Sequence, residues 1–211
     1  MVVQSSEQAT GPVVAAEQQR SQAVLDATKQ LAGCLKADGR RFALTGGVAA
    51  YALGVPRRSL HDADFCILRE EAGEVTTLLG KAGIRVWEPP EDWLIKAEWQ
   101  GQTIDLIFEL GGQPVTPDLL ERATVMPVDS VRMPVLSPTD LVVSQLTAFS
   151  EHHCDFGVVL PLARTLRERV DWAEVRRSAE GRAMAEAFLF LLERLDVIAA
   201  APGGTRDRGS E

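Results

Sequence analysis

Hydrophobic positions along the chain follow first a helical spacing and then a strand spacing. From about residue 15 to residue 37, apolar residues recur every three or four positions, as on one face of a helix. RFALTG and ADFCIL are short apolar runs typical of buried strands, and GVAAYALG between them is typical of a short helix that ends at Gly54. The pattern predicts an amphipathic first helix, then strand, glycine turn, helix and strand.

The middle of the chain predicts one helix followed by β-structure. REEAGEVTTLLGKAG carries acidic residues in its first turn, which the helix dipole favours. Three short β-rich runs follow, IRVWE, WLIKAEW and TIDLIFEL, and the last two meet at Gln100-Gly101. Because this pair resembles an Asn-Gly hairpin turn, the two runs are expected to pair with each other.

The last third of the chain is mostly helical in pattern. VMPVDSVRMPVL predicts two extended pieces, and the next helix begins with Ser137 as N-cap and Pro138 at the first helical position. We therefore predict an α+β protein, with a small mixed β-sheet flanked by helices and a helical C-terminal portion. The expected divisions are a disordered tail (1–14), a core (15–136), the helical portion (137–201) and a second disordered tail (202–211).

Composition restricts the classes of partner. With 211 residues, 45% of them hydrophobic, the chain is long enough for one well-packed domain with a helical appendage. A formal net charge of -8 argues against a surface that binds nucleic acid over its whole area. A local basic patch is still compatible with that charge. Residues 164–182 are rich in arginine, and either such a patch or a solvated pair of helices with internal ion pairs fits them.

Cysteine usage and hydropathy predict a soluble cytoplasmic protein. The three cysteines are far apart and form no CxxC pair, which fits a reducing compartment. The chain shows neither the roughly 20 apolar residues that span a bilayer nor the basic start and apolar core of a signal peptide. We expect no association with membranes.

Three acidic residues interrupt segments that otherwise resemble buried strands. Asp62 and Asp64 are two residues apart, so on a strand their side chains project from the same face. Asp105 lies between Ile104 and Leu106 in a later strand-like run. If the two strands are neighbours, the three carboxylates form a cluster of hard oxygen ligands that suits Mg²⁺ or Mn²⁺.

A glycine pair precedes the acidic pair. Thr45, Gly46 and Gly47 end a predicted strand and open a helix, where bare backbone N–H groups can meet an anion. Arg57 and Arg58 follow shortly before the acidic strand, and their guanidinium groups are suited to phosphate. A nucleoside triphosphate is the ligand that accounts for the glycines, the arginines and the metal-binding acids together.

This order of residues resembles the nucleotidyltransferase superfamily of DNA polymerase β type, over about residues 40 to 110. The superfamily includes antibiotic nucleotidyltransferases and the AbiEii and MenT toxins of bacterial toxin-antitoxin systems. The resemblance implies the nucleotidyltransferase fold and transfer of a nucleoside monophosphate from an NTP, with release of pyrophosphate. It also implies that Asp62 and Asp64 hold Mg²⁺, and that Asp105 is a general base or a further metal ligand.

A weaker resemblance extends to secondary candidate residues. Asp155 matches an acid that opens a helix in the AbiEii pattern, and Gln145 lies near the position where that pattern has a lysine. The glycine pair is Gly-Gly where the family more often has Gly-Ser. His61 resembles the histidine that precedes the acidic pair in antibiotic-modifying members, although a structural hydrogen-bonding role explains a single histidine equally.

The resemblance leaves three functions to compare. The first is a toxin-type enzyme that modifies RNA, such as the 3′ end of tRNA, and is held in check by an antitoxin protein. The second is an antibiotic nucleotidyltransferase whose acceptor is a small hydroxyl-bearing molecule such as an aminoglycoside or a lincosamide, which the acidic composition favours. The third is a nucleotide-binding or interaction module without turnover.

Overall fold

The computed structural model describes residues 12–56 and 59–200 of the chain. The predicted tails lie outside these ranges, apart from residues 12–14, which belong to the first helix. The chain divides into two compact units. One contains the residues up to Glu109 together with Pro114–Leu136, and the other contains Leu110–Gln113 together with the residues from Ser137 onward.

The first unit contains most of the predicted α/β elements in the predicted order. A short 3-10 turn at Arg69–Glu71 precedes its third helix. The hydrophobic pattern does not reveal a small hairpin whose two strands have two residues each. Its central residues, Leu110–Gln113, belong to the second unit. The elements are α1 (Pro12–Ala37), β1 (Ala43–Thr45), α2 (Gly46–Ala52), β2 (Ala63–Cys66), α3 (Ala72–Lys81), β3 (Arg85–Trp87), β4 (Leu94–Trp99), β5 (Gln102–Ile107), β6 (Glu109–Leu110), β7 (Gln113–Pro114), α4 (Pro117–Glu121), β8 (Thr124–Val128) and β9 (Val131–Val135).

Seven of these strands form one mixed sheet in the order β3-β4-β5-β2-β1-β9-β8. The β2–β5 and β1–β9 pairs are parallel, and the other neighbours are antiparallel. The predicted turn between β4 and β5 is present, with positive φ at Gln100 and Gly101, and Asp129 likewise has positive φ in the turn between β8 and β9. This mixed sheet with flanking helices confirms the predicted fold class.

The first helix packs on the sheet through its apolar stripe. Val24, Leu31 and Leu35 of α1 are fully buried, as their helical spacing predicts. At the edge of this packing, Lys29 Nζ donates to Asp129 Oδ2 at 2.8 Å. This hydrogen bond, which joins α1 to the β8–β9 turn, lowers the pKa of the Asp129 carboxyl group from its ordinary value.

The second unit is helical. Its helices are α5 (Pro138–Thr147), α6 (Phe156–Leu166), α7 (Trp172–Ala179) and α8 (Ala183–Arg194). Three phenylalanine rings, Phe149, Phe156 and Phe188, pack together with centroids 5.0 to 5.9 Å apart and form an aromatic centre for this unit. Over the residues described, none of the helices combines the length and the apolar character needed to cross a membrane.

Candidate active site

A row of polar side chains crosses four adjacent strands of the sheet. The strand register pairs Thr45 of β1 with Asp64 of β2, Asp64 with Asp105 of β5, and Asp105 with Lys96 of β4. Residues directly opposite each other on neighbouring strands present their side chains to the same face. Thr45, Asp64, Asp105 and Lys96 therefore lie side by side, and we refer to them as the polar row.

The polar row marks the boundary between a buried and a solvent-facing part of this sheet face. Two residues along each strand in one direction, the face is apolar and buried, at Ala43, Cys66, Ile107 and Leu94. Two residues in the other direction, the side chains are exposed or half-buried, at Asp62, Thr103 and Glu98. A ligand can therefore approach the polar row from the second direction, while the first supplies a rigid apolar support.

Gly46 brings the glycine turn into contact with Asp64. The residue has φ +58°, a left-handed conformation that other residues adopt at a cost. A Cβ at this position would lie 2.0 Å from Asp64 Oδ2 and 2.7 Å from Asp64 Cγ. Glycine is thus required twice here, once for the backbone conformation and once for the space that the carboxylate occupies. The glycine pair and the acidic strand, which the sequence analysis grouped by their order, are in direct contact.

Lys96 holds the carboxylate of Asp105. Its ammonium group donates to Oδ1 at 2.7 Å and to Oδ2 at 3.0 Å. The Lys96 side chain is 29% exposed and the Asp105 side chain 15% exposed, so solvent screens this pair less than a surface pair. Lys96 is not among the residues that the sequence patterns predict for the site. Lys96 could have been identified from the hairpin turn at Gln100-Gly101, because this turn fixes the register that places Lys96 opposite Asp105.

The lysine offsets part of the repulsion between the two acids. Carboxylates on directly paired strands are about 5 Å apart, and two such charges repel by roughly 3 kcal/mol at an effective dielectric constant of about 20. Lys96 is in contact with the second acid of the pair and supplies one positive charge. The polar row then carries one net negative charge from its acids and its lysine.

The Thr45 hydroxyl group is the polar atom of this row for which the described residues offer no hydrogen-bond partner. The residue is 2% exposed, and its Oγ1 is buried. An unsatisfied buried hydroxyl group costs about 1 to 3 kcal/mol, so such an atom indicates a place where a ligand or a water molecule completes the structure. Mg²⁺ typically uses one or two carboxylates and retains several waters, and the in-register acids beside this hydroxyl group fit that requirement.

Asp62 lies just outside the strand on which it was predicted. Strand β2 begins at Ala63, and Asp62 is exposed. Within residues 12–56 and 59–200, there is no group of three or more His, Cys, Asp and Glu side chains placed to hold a metal ion. The neighbouring strands bring Asp64 and Asp105 together, and the three-carboxylate metal site stays a prediction.

The other predicted site residues are distributed over the two units. Gly47 lies in the first turn of α2, while Arg57 and Arg58 fall outside the described residues. His61 is exposed, and its Nε2 lies 3.0 Å from Ser59 Oγ, which is the structural hydrogen bond that one interpretation of this histidine expects. Two further candidates belong to the second unit: Gln145 is half-buried on α5, and Asp155 caps α6 by accepting from the backbone N–H groups of residues 157 and 158.

Half of the six arginines in residues 164–182 have a glutamate partner within the second unit. Three of them form ion pairs with glutamates, and Arg182 donates to the backbone oxygens of Thr147 and Gly111 at 2.9 and 3.3 Å. The ion pairs are Arg167–Glu168, Arg176–Glu193 and Arg177–Glu174. These three ion pairs fit the alternative of a solvated pair of helices with internal ion pairs.

Replacing Lys96 with methionine is expected to lower the stability of the protein and to make it more dependent on a divalent cation. The variant leaves Asp105 without the ammonium group that contacts it, which should lower the free energy of unfolding in EDTA by about 1 to 3 kcal/mol. Thermal unfolding should show a fall in Tm of a few degrees for each kcal/mol lost. Addition of Mg²⁺ should raise the Tm of the variant by more than it raises the Tm of the wild type.

The double variant Lys96→Met, Asp105→Asn is the control. It removes both charges of the pair, so its stability in EDTA should lie above that of Lys96→Met alone. An unchanged Tm in Lys96→Met would mean that the lysine does not offset the repulsion.

The comparison of the sequence with protein families gives the class of enzyme, one that transfers nucleotidyl groups. Residues 13–201 match the family model described as "uncharacterised nucleotidyltransferase". The match extends over most of the chain, so the protein belongs to this family and is a nucleotidyltransferase enzyme. The family implies an NTP as donor and typically a divalent metal ion. A comparison of the sequence with curated proteins finds no match.

Solved structures with a similar fold include an antibiotic-resistance factor. The solution structure of ANT(2″)-Ia is similar with a TM-score of 0.58 and 13% sequence identity, covering 83% of this chain and 98% of that chain. The crystal structure of ANT(2″)-Ia in complex with adenylyl-2″-tobramycin has a TM-score of 0.54 and 13% identity, covering 79% of this chain and 97% of that chain. At this level of identity the similarity establishes the fold alone.

Proposed function

We propose that the polar row is the transfer site, where a nucleoside monophosphate moves from an NTP to an acceptor hydroxyl group. In this reaction the acceptor oxygen attacks the α-phosphorus, the bond to pyrophosphate breaks, and the hydroxyl proton passes to a base. The observation that carries the proposal is the placement of Asp64 against Gly46 and in register with Asp105. This placement brings together an acidic pair, a glycine turn and the unpaired Thr45 hydroxyl group at the solvent-facing part of the sheet face.

Each residue has an assigned role. Asp62 and Asp64 would hold Mg²⁺ or Mn²⁺, which when bound supplies neutralisation of phosphate charge and activation of the attacking oxygen. Asp105 accepts the acceptor proton, and Lys96 holds the Asp105 carboxylate in place through its two hydrogen bonds. Thr45, Gly46 and Gly47 are assigned to the triphosphate, with Arg57 and Arg58 as its further partners.

We propose RNA, such as the 3′ end of tRNA, as the acceptor, in a toxin-type enzyme held in check by an antitoxin protein. The proposal follows from the resemblance of the Gly46-Gly47 and Asp62-Ala63-Asp64 pattern to the AbiEii and MenT toxins. The paired arginines of the second unit do not add to it.

A small hydroxyl-bearing acceptor is the second candidate. It is favoured by the likeness in fold to ANT(2″)-Ia, whose crystal structure contains adenylyl-2″-tobramycin. The formal net charge of -8 agrees with it, because an acidic surface attracts cationic aminoglycosides. The two candidates share the donor and the transfer step and differ in the acceptor alone.

The test presents both acceptors to the same protein. Purified protein is incubated with Mg²⁺ and each α-³²P-labelled NTP in turn, with total tRNA in one set and an aminoglycoside in the other. We expect label in tRNA with the wild type and none with Asp64→Ala. Label in the aminoglycoside alone would select the second candidate, and absence of transfer with every NTP and both acceptors would favour a nucleotide-binding module without turnover.

A further inference from the structure

A basic pocket lies in the first unit at the end of β1 opposite to the polar row. Four cationic residues contribute to its walls: Lys36 at the end of α1, Arg40 and Arg41 before β1, and Arg132 on β9. The pocket has a volume of about 300 Å³, and among the described residues that line it Glu121 is the one acid. Such a concentration of positive charge is unexpected in a chain with a formal net charge of -8.

Three of the four cations are not neutralised by carboxylates of the described chain. Arg40 forms ion pairs with Asp38 and Glu74. Neither Lys36, Arg41 nor Arg132 forms an ion pair within residues 12–56 and 59–200. These three are therefore unlike the ion-paired arginines of the second unit, because their charge is available to a ligand.

Backbone oxygens hold two of these cations in place. Lys36 Nζ donates to the carbonyl oxygen of Arg132 at 3.0 Å, and an Nη of Arg132 donates to the carbonyl oxygen of Val125 at 2.8 Å. A carbonyl group fixes the position of a cation without cancelling its charge, and each cation keeps further N–H groups for other acceptors. This arrangement prepares the pocket for an anion, since less side-chain entropy is lost on binding.

The walls also offer apolar surface next to the cations. Val125 is 51% exposed, and Phe42 and Leu120 form buried parts of the lining. A ligand that combines a phosphate group with an uncharged planar or apolar part matches this lining. Guanidinium groups are well suited to phosphate oxygens, which they bind through two parallel hydrogen bonds.

We propose that this pocket binds backbone phosphates of an RNA strand, outside the transfer site. Arg41 and Gly46 lie on either side of β1, five residues apart, which is at most roughly 16 Å at the rise of a strand. A polynucleotide carries phosphate groups at regular intervals and can contact both places, whereas an NTP whose triphosphate lies at the polar row has no further phosphate group for the pocket. The choice of RNA rests on the proposed acceptor, and free phosphate or a nucleotide is the other source of the same chemistry.

The experiment measures RNA binding without turnover. A fluorescein-labelled tRNA is titrated with full-length protein in EDTA and without NTP, at several salt concentrations, and Kd is obtained from anisotropy. Three phosphate contacts predict a slope of about -2 for log K against log salt. Arg41→Ala and Arg132→Ala should each raise Kd about tenfold and reduce the slope by about one contact.

Matched variants and ligands separate the outcomes. Arg167→Ala removes an exposed, ion-paired arginine of the second unit and should bind tRNA as the wild type does. Arg41→Gln is a second variant at an exposed position, in case Arg132→Ala disturbs β9. Titration with inorganic phosphate and with ATP tests the other source of phosphate.

Loss of tRNA affinity in both pocket variants, with Arg167→Ala unaffected, would support the proposal. Equal affinity in all proteins would overturn it, and so would binding of phosphate or ATP in place of tRNA. Because neither metal nor donor is present, a failed transfer reaction leaves this result unaffected. Conversely, a failed binding test leaves transfer to a small acceptor open to measurement.

Discussion

Asp64→Asn is expected to abolish nucleotidyl transfer and to leave the protein folded. Asparagine has nearly the shape of aspartate, so it fits the space beside Gly46, but it lacks the charge that attracts a divalent cation. Stabilisation of transition-state charge by a metal ion contributes several kcal/mol, and each 1.4 kcal/mol corresponds to about tenfold in rate. We expect the transfer rate to fall by about 10³-fold or more.

A second measurement links this loss to ligand binding. A ligand present at about 100 times its Kd stabilises the folded protein by about 2.7 kcal/mol, which raises the Tm by several degrees in a domain of this size. The wild type should show this increase with Mg²⁺ and its preferred NTP together, and Asp64→Asn should lose it. The Tm of both proteins in EDTA shows that the variant is folded.

Asp26→Asn is the matched control, because it makes the same replacement of aspartate by asparagine at a position away from the polar row. Asp26 lies on α1, where it forms an exposed ion pair with Lys29 at 2.8 Å. Removing it should change stability by less than about 1 kcal/mol and should leave the Mg²⁺–NTP effect intact. If Asp64→Asn retained transfer at the level of Asp26→Asn, the polar row would not be the transfer site.

The sequence was sufficient to predict the elements that carry this site. The apolar runs around Asp64 and Asp105 predict strands through their composition, and the Gln100-Gly101 turn predicts the hairpin. What local patterns do not contain is the pairing between distant segments. That β2 lies parallel to β5, with Asp64 opposite Asp105, is decided by the packing of the whole sheet.

Three further features of the structure were not predicted from the sequence, each for a different reason. Lys96 appears in the sequence as one charged residue in a β-rich run, and its role becomes visible when the hairpin register is counted from the turn. The small hairpin β6–β7 is shorter than the segments for which hydrophobic periodicity is informative. The basic pocket gathers residues from α1, the loop before β1, and β9, and no local pattern brings segments so distant along the chain together.

Gly46→Ala is expected to reduce both stability and transfer. An alanine in the left-handed conformation costs about 1 to 2 kcal/mol, and the new Cβ would overlap the Asp64 carboxylate, which must move. We expect a loss of about 2 to 4 kcal/mol in the free energy of unfolding. A displacement of about 1 Å at a catalytic group lowers rates about 100-fold, so transfer should fall by at least that factor.

Gly83→Ala separates the effect of backbone strain from the effect of overlap with the Asp64 carboxylate. Gly83 also has positive φ, +75°, but a Cβ there would meet no described atom within 4 Å. This variant should lose about 1 to 2 kcal/mol from backbone strain and should transfer nucleotide at the wild-type rate. Equal losses of activity in the two glycine variants would attribute the effect to strain in general and not to the Asp64 contact.

A double-mutant cycle then measures the contact between Gly46 and Asp64. Asp64→Ala removes the Oδ2 and Cγ atoms that a Cβ at residue 46 would meet at 2.0 and 2.7 Å, and it leaves a Cβ contact of 3.2 Å. In the Asp64→Ala background, Gly46→Ala should therefore cost little more than the strain seen in Gly83→Ala. A coupling free energy of about 1 to 2 kcal/mol is the expected result, and additivity of the two changes would show that the carboxylate does not depend on the glycine.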